Sequence, residues 1–125
     1  MTMADEKILM LQMAVTEMAK AKAFYAEQLG WSVTKDYGQG GRHWVSLELP
    51  GGGASLTLTT MHGHMKPGTM TLYLSTSNIE AAYHELKAKG VKVNEVKDDL
   101  YGRGSGVKWF DLNDPDGNHW LFVQS

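Results

Sequence analysis

The chain has 125 residues, 42% of them apolar, a formal net charge of -2, a pI near 6.2 and no cysteine. That length is one domain's worth and buries roughly two-thirds of the unfolded surface, while the mildly acidic balance argues against nucleic acid, whose phosphates need a clustered basic surface. The lack of cysteine excludes disulfides, thiol nucleophiles and cysteine-zinc sites and fits a cytoplasmic protein.

The apolar run from Ile8 to Val15 is interrupted by Gln12 and follows Asp5 and Glu6, so it is too short for a signal peptide or membrane span and reads as a strand. Its alternation places Leu9, Leu11, Met13 and Val15 on one face, which should take a helix. A helix is predicted next, with Thr16 as its cap, Glu17 at its positive end, Phe24, Tyr25 and Leu29 as anchors and Gly30 in a left-handed terminal position. Trp31 to Tyr37 reads as a second strand, Arg42 to Leu49 as a third, and Pro50 with Gly51 to Gly53 turns the chain into Ser55 to Thr60.

After the loop MHGHMKPG the order starts again. Thr69 to Thr76 is the next strand, Ser77 and Glu80 spell a capping box for a second helix that Gly90 ends, and Val91 to Val96 is the sixth strand. A Gly-rich loop from Lys97 to Gly106 leads to Val107 through Asn113, the DPDG turn and a last strand, His119 to Gln124. The plan is βαβββ, twice. HWVSLELPGG at 43–52 and KWFDLNDPDG at 108–117 share it at an offset of 65, with Trp44 matching Trp109, Leu47 matching Leu112, Pro50 matching Pro115 and Gly52 matching Gly117.

Two such modules, with FYAEQLGW after the first strand and DPDGN before the last, resemble the vicinal oxygen chelate superfamily of glyoxalase I, extradiol dioxygenases and bleomycin-resistance proteins. The likeness covers nearly the whole chain as one domain, with modules at 7–60 and 69–124. It implies an α+β fold in which the modules form a curved, barrel-like mixed sheet around a central cleft, helices outside, and commonly a homodimer. In metal-using members, one position on the first strand and one on the last strand of each module supply His, Glu or Gln ligands. The matching residues here are Met10, Thr57, Thr71 and Leu121, with Leu56 an alternative to Thr57 by a slip of one. Such donors do not hold zinc, nickel, manganese or iron, which need imidazole or carboxylate. The resemblance is therefore to a metal-free branch, with no cofactor expected.

Parity extends the set. If Leu121 faces the cleft, so do His119, Trp109 and Asp111, while Trp120, Phe122, Phe110 and Leu112 face the helix. Asp111 and His119 then become candidate cross-strand partners, and a carboxylate that orients an imidazole suits a general base; an ordinary structural pair is the alternative. In the first module the same parity brings Gln12, Trp44, Ser46 and Thr57 to the cleft, with Glu48 beyond them, and Tyr73 joins from the fifth strand. Aromatic faces among small polar groups are the makeup of a small-molecule pocket, although Trp also fills cores and interfaces. Tyr101 and Arg103, in the loop LYGRGSG, are candidate lid residues. His62 and His64 form an H-x-H pair that needs a third ligand to hold a metal; His84 reads as surface and His43 as a polar strand residue.

Three functions stay open at this point. The first is metal-independent binding of an aromatic or amphipathic organic molecule; cationic bleomycin itself suits a chain with so slight an acid excess poorly. The second is a glyoxalase-like lyase or isomerase using His119 and Asp111 or a non-standard metal site, and the third a non-catalytic dimeric regulatory or interaction module. No nucleic acid or membrane partner is expected.

Overall fold

The computed structural model describes residues 4–125. The chain is mixed α+β and divides at Lys66 and Pro67 into two compact units. The first contains strand β1 (Met10–Ala14), helix α1 (Met18–Lys22) continuing into a π-helical stretch (Ala23–Gln28), and strands β2 (Ser32–Gln39), β3 (Arg42–Glu48) and β4 (Ser55–Thr59). The second contains β5 (Thr71–Thr76), helix α2 (Ile79–Ala88), β6 (Trp109–Asn113) and β7 (His119–Gln124).

In unit one the sheet order is β1-β4-β3-β2, with β1 parallel to β4 and the other neighbours antiparallel. The order in unit two is β5-β7-β6, with β5 parallel to β7. Met10 opposes Ser55 in the first and Thr71 opposes His119 in the second, so the repeat seen in the sequence is a repeat of hydrogen-bonded register. Each parallel pair needs a crossover, and the helix supplies it.

One face of each sheet is buried under its helix. In unit one Met13, Val15, Val45, Leu47, Leu56 and Leu58 form that layer with Tyr25. The Tyr25 ring stacks on Trp31 at 5.4 Å and meets Phe24 edge-on at 5.1 Å, and its hydroxyl reaches the Met13 sulfur at 3.4 Å. The π-helical turn, closed by Leu29 N–H to the Phe24 carbonyl, sets Phe24 and Tyr25 on the sheet, and Gly30, with φ of 76°, ends it. In unit two Phe110 stacks on Phe122 at 4.7 Å and meets Tyr83 of α2 edge-on at 5.7 Å, over buried Leu112 and Trp120.

Four details of the sequence reading are corrected. Helix α1 starts one residue later than a Thr16 cap requires: Glu17 is the cap residue, in an extended conformation with no side-chain cap bond. The capping box from Ser77 to Glu80 does not form; the Asn78 carboxamide accepts from Ala81 N–H at 3.0 Å, and Gln124 of β7 accepts from Ile79 N–H at 3.0 Å. Val91 to Val96 is not a strand. Its backbone meets β6 at Asn94, which donates to the Asp111 carbonyl, and at the Lys97–Trp109 bridge. Those contacts are three residues apart on one side and two on the other, and the extra residue breaks the ladder. Finally, the face of β1 meant for the helix is only half covered: Met13 and Val15 are buried, but Leu9 is 79% and Leu11 36% exposed.

The DPDGN segment is a structural clasp. Asp114 accepts from Asn118 N–H and from its side-chain amide, both at 2.8 Å, while buried Asn118 Oδ1 accepts from Met70 N–H at 3.0 Å, tying the β6–β7 turn to the start of β5. Gly68, at φ of 79°, completes it, since a Cβ there would lie 2.1 Å from the Asp116 carbonyl oxygen. Asn118→Ala should therefore cost roughly 2–3 kcal/mol by removing an acceptor and a donor from buried partners, and Gly68→Ala about 2–4 kcal/mol through strain and overlap. Urea denaturation of both variants tests this, and midpoints equal to the parent's would refute the clasp.

Candidate functional site

The sheet face away from the helix in unit one carries a cavity of about 230 Å³. Register builds it. Gln12 of β1 lies opposite Thr57 of β4, Thr57 opposite Ser46 of β3, and Thr59 opposite Trp44, so these side chains share one face with Met10. Five residues that the sequence reading assigned to a pocket, Gln12, Trp44, Ser46 and Thr57 by parity and Met10 by the family resemblance, line this cavity together. Thr57, and not Leu56, is the residue on this face, because Leu56 is buried with Leu47 on the helix side.

The floor is polar and already satisfied. Ser46 and Thr57, both buried, share a hydroxyl–hydroxyl bond of 2.9 Å; the Thr57 hydroxyl lies 3.6 Å from the Met10 sulfur, and Thr59 Oγ1 accepts from Met61 N–H at 3.0 Å. The rim differs. The Trp44 indole stacks on Tyr37 at 5.8 Å, Met10 and Met61 bring polarisable sulfur, and the side-chain amide of Gln12 and the ammonium of Lys35 have no hydrogen-bond or ion-pair partner among the described residues. Sequence reasoning missed Lys35, Thr59 and Met61. Thr59 was accessible from the parity of Thr57, whereas Met61 lies past the end of β4. Lys35 reaches this face through a register shift between Val33, opposite Leu47, and Lys35, opposite Ser46.

In unit two, Thr71 and Tyr73 of β5, Trp109 and Asp111 of β6, and His119 and Leu121 of β7 occupy the face away from α2. The structure brings Asp111 and His119 together: His119 Nε2 and Asp111 Oδ2 are 2.6 Å apart. They are diagonal neighbours, since Asp111 lies directly opposite Leu121. Asp111 also accepts from the Asn94 side-chain amide at 2.9 Å. Partial burial pushes its carboxyl up, but the hydrogen bonds from His119 and Asn94 and the charges of His119 and Lys97 outweigh that and hold it below the usual carboxylate range.

Other candidates are less gathered. The indole N–H of Trp109 donates to Asp99 at 3.1 Å and Lys97 lies over its ring at 5.3 Å, so the indole is already engaged. Tyr73 is 64% and Tyr101 77% exposed, and Arg103 is exposed in the turn-rich loop with Tyr101. Leu121 is buried. His62 bonds the Val15 carbonyl at 2.8 Å, and His84 is exposed beside Tyr83. His43 belongs to a second His–Asp pair: its Nε2 is 2.7 Å from Asp36 on the helix face, and Lys22 holds the other Asp36 oxygen. The hydrogen bonds from Lys22 and then His43 keep the Asp36 carboxyl low.

The four positions that the resemblance matched to metal ligands repeat in register between the two units. Met10 and Thr57 are diagonal neighbours in unit one, as Thr71 and Leu121 are in unit two. A thioether, two hydroxyls and an isobutyl group do not fit a hard or borderline divalent cation. Among the described residues no group of three or more His, Asp or Glu side chains is placed to hold a metal ion, and no helix is long and apolar enough to cross a membrane.

Comparison with known proteins agrees with this architecture. A model of the Glyoxalase/Bleomycin resistance protein/Dioxygenase superfamily matches residues 7–122. An uncharacterized protein of Mycolicibacterium smegmatis is 30% identical over 88 residues, covering 70% of this chain and 71% of its own. Among solved structures, TnmS3, an antibiotic binding protein from Streptomyces sp. CB03234, superimposes with a TM-score of 0.80 at 30% identity over 98% of each chain. A glyoxalase/bleomycin resistance protein from the same strain does so at 0.77 and 27% identity, over 94% of this chain and 99% of its own. With its duplicated strand register and a family match over nearly its whole length, the chain belongs to the glyoxalase/bleomycin resistance/dioxygenase superfamily.

Proposed function

We propose that this chain is a single-domain, metal-independent binding protein of the cytoplasm that takes a small aromatic or amphipathic organic molecule in the cavity of its first unit. The cavity itself carries this reading: about 230 Å³, with an aromatic and thioether rim over a hydroxyl floor. A cavity of about 150 Å³ suffices for benzene, so this one has the scale of a one- or two-ring compound. The antibiotic-binding description of TnmS3 at 30% identity supports it, as does the donor set at Met10, Thr57, Thr71 and Leu121. Titration with a panel of one- and two-ring aromatics should quench tryptophan fluorescence with or without chelator, and Trp44→Leu should weaken binding by about tenfold or more, the loss of one buried aromatic contact. No response from any compound at millimolar concentration removes the reading.

The binding form is a homodimer in this proposal. β1 is an edge strand, and Ile8 and Leu9 leading into it and Met10 and Leu11 within it are exposed. An edge with that much apolar surface invites a second chain. Light scattering should give twice the chain mass, and Leu9→Lys with Leu11→Lys should return the monomer; a parent that is monomeric at high micromolar concentration contradicts it.

A catalytic reading, a lyase or isomerase working through His119, has one observation in its favour, the 2.6 Å contact with Asp111. The Asp36–His43 pair, nearly as close and on the helix face, shows the same geometry in a stabilising setting. The pair's contribution to stability is read from pH. A carboxyl lowered in the folded state stabilises above its unfolded pKa of about 4 and loses that contribution as pH falls through the lower folded value. The stability gap between the parent and Asp111→Asn should thus be full at neutral pH and close as pH falls through the lowered folded value, whatever the ligand. Turnover of a carbonyl substrate that vanishes in His119→Ala would select catalysis; unchanged ligand binding in that variant, with no turnover in the parent, leaves the pair structural.

A further inference from the structure

The register shift in β2 puts a cation where an unshifted strand would not. Val33 lies opposite Leu47, on the helix side, so strict alternation would send Lys35 to the same side. The shift re-aims it instead, opposite Ser46 and onto the cavity, which is what such irregularities do near binding sites. Lys35 is the one charged residue among those lining the cavity, and no carboxylate is among them. The acid next to it in sequence, Asp36, faces the other way and is taken by Lys22 and His43. Glu48 lies further along the same face of β3, opposite Ser32, outside the lining.

A second cation flanks the same aromatic pair. Tyr37 opposes Trp44 and Gln39 opposes Arg42, so Lys35 and Arg42 stand on either side of the stacked rings on one sheet face. Arg42 lines an adjoining depression that shares Met61 and Tyr37 with this region and likewise contains no acid. With the floor hydroxyls bonded to each other, the Gln12 amide and the Lys35 ammonium are among the polar groups left to a ligand, and the net charge of the lining is positive although that of the chain is -2.

We propose that the cavity selects an anionic aromatic compound, a carboxylate, sulfonate or phenolate, whose ring lies on Trp44 between the Met10 and Met61 sulfurs and whose negative group pairs with Lys35. This rests on the ligand-binding reading above and adds the charge of the ligand to it. A cation beside a ring-binding surface in a partly enclosed site strengthens an anion's contact at little cost in reorganisation, whereas a neutral isostere gains only the apolar part.

The test is calorimetric titration of the full chain with 2-naphthoate and with its neutral isostere 2-naphthamide at low salt. Naphthoate should bind about tenfold more tightly, the scale of one partly exposed charge-assisted hydrogen bond. The ratio should shrink in high salt. Lys35→Gln should bring the ratio of the two affinities to about one, and Lys35→Arg should keep the preference. Because Lys35 is exposed on an edge strand, these variants leave the core untouched. Equal binding of the two compounds, or a preference that survives Lys35→Gln, overturns the charge assignment and leaves the binding site standing. Failure of both compounds to bind, alongside a silent aromatic panel, removes the binding site and the charge assignment together.

Discussion

Parallel pairing of the first strand of each unit with its last, Met10 opposite Ser55 and Thr71 opposite His119, is the constraint from which the other features follow. A parallel pair cannot be closed by a tight turn, so a helix must cross over, and it covers one face of its sheet. Side chains of odd and even register are thereby assigned opposite fates: Val45, Leu47, Leu56 and Leu58 are buried under α1, while Trp44, Ser46 and Thr57 are left for something other than the core. The two units repeat this assignment in register, but their exposed faces have diverged, toward a cavity with a hydroxyl floor in one and a bonded His–Asp pair in the other.

What was legible follows from the same constraint. Strict alternation through β3, β4, β6 and β7 let the facing of Trp44, Ser46, Thr57, Asp111, His119, Phe110 and Trp120 be read directly, because each strand is covered on one side and any slip would invert it. Lys35 was not legible, since β2 is exposed along its length, has no apolar alternation to read, and changes face at an irregularity that only pairing with β3 reveals. Val91 to Val96 failed for a related reason: alternating valines suit a strand, but one extra residue between its two contacts with β6 prevents a ladder. The helix starts moved by one residue because Glu17 and Asn78, not their neighbours Thr16 and Ser77, take the extended cap conformation.

The motifs that identified the family explain structure more than chemistry. FYAEQLGW places Phe24, Tyr25 and Trp31 in one aromatic cluster over the sheet, through a π-helical turn. DPDGN closes the β6–β7 turn and ties it to β5 through Asn118 and Met70. Neither contributes a side chain to the unit-one cavity. Both motifs thus support the fold, and membership of the superfamily does not by itself say what chemistry the site performs.

The Ser46–Thr57 hydroxyl pair has a consequence for how such a site diversifies. Because the two hydroxyls bond each other beneath the cavity and Thr57 donates onward to the Met10 sulfur, replacing Gln12, Lys35 or Met61 takes no side-chain partner from the buried pair, whereas replacing Met10 does. Gln12, Lys35 and Met61 can then be exchanged one at a time with no buried polar atom left to be repaired first. A floor bonded within itself thus separates the part of this sheet face that the fold depends on from the part that is left open to change.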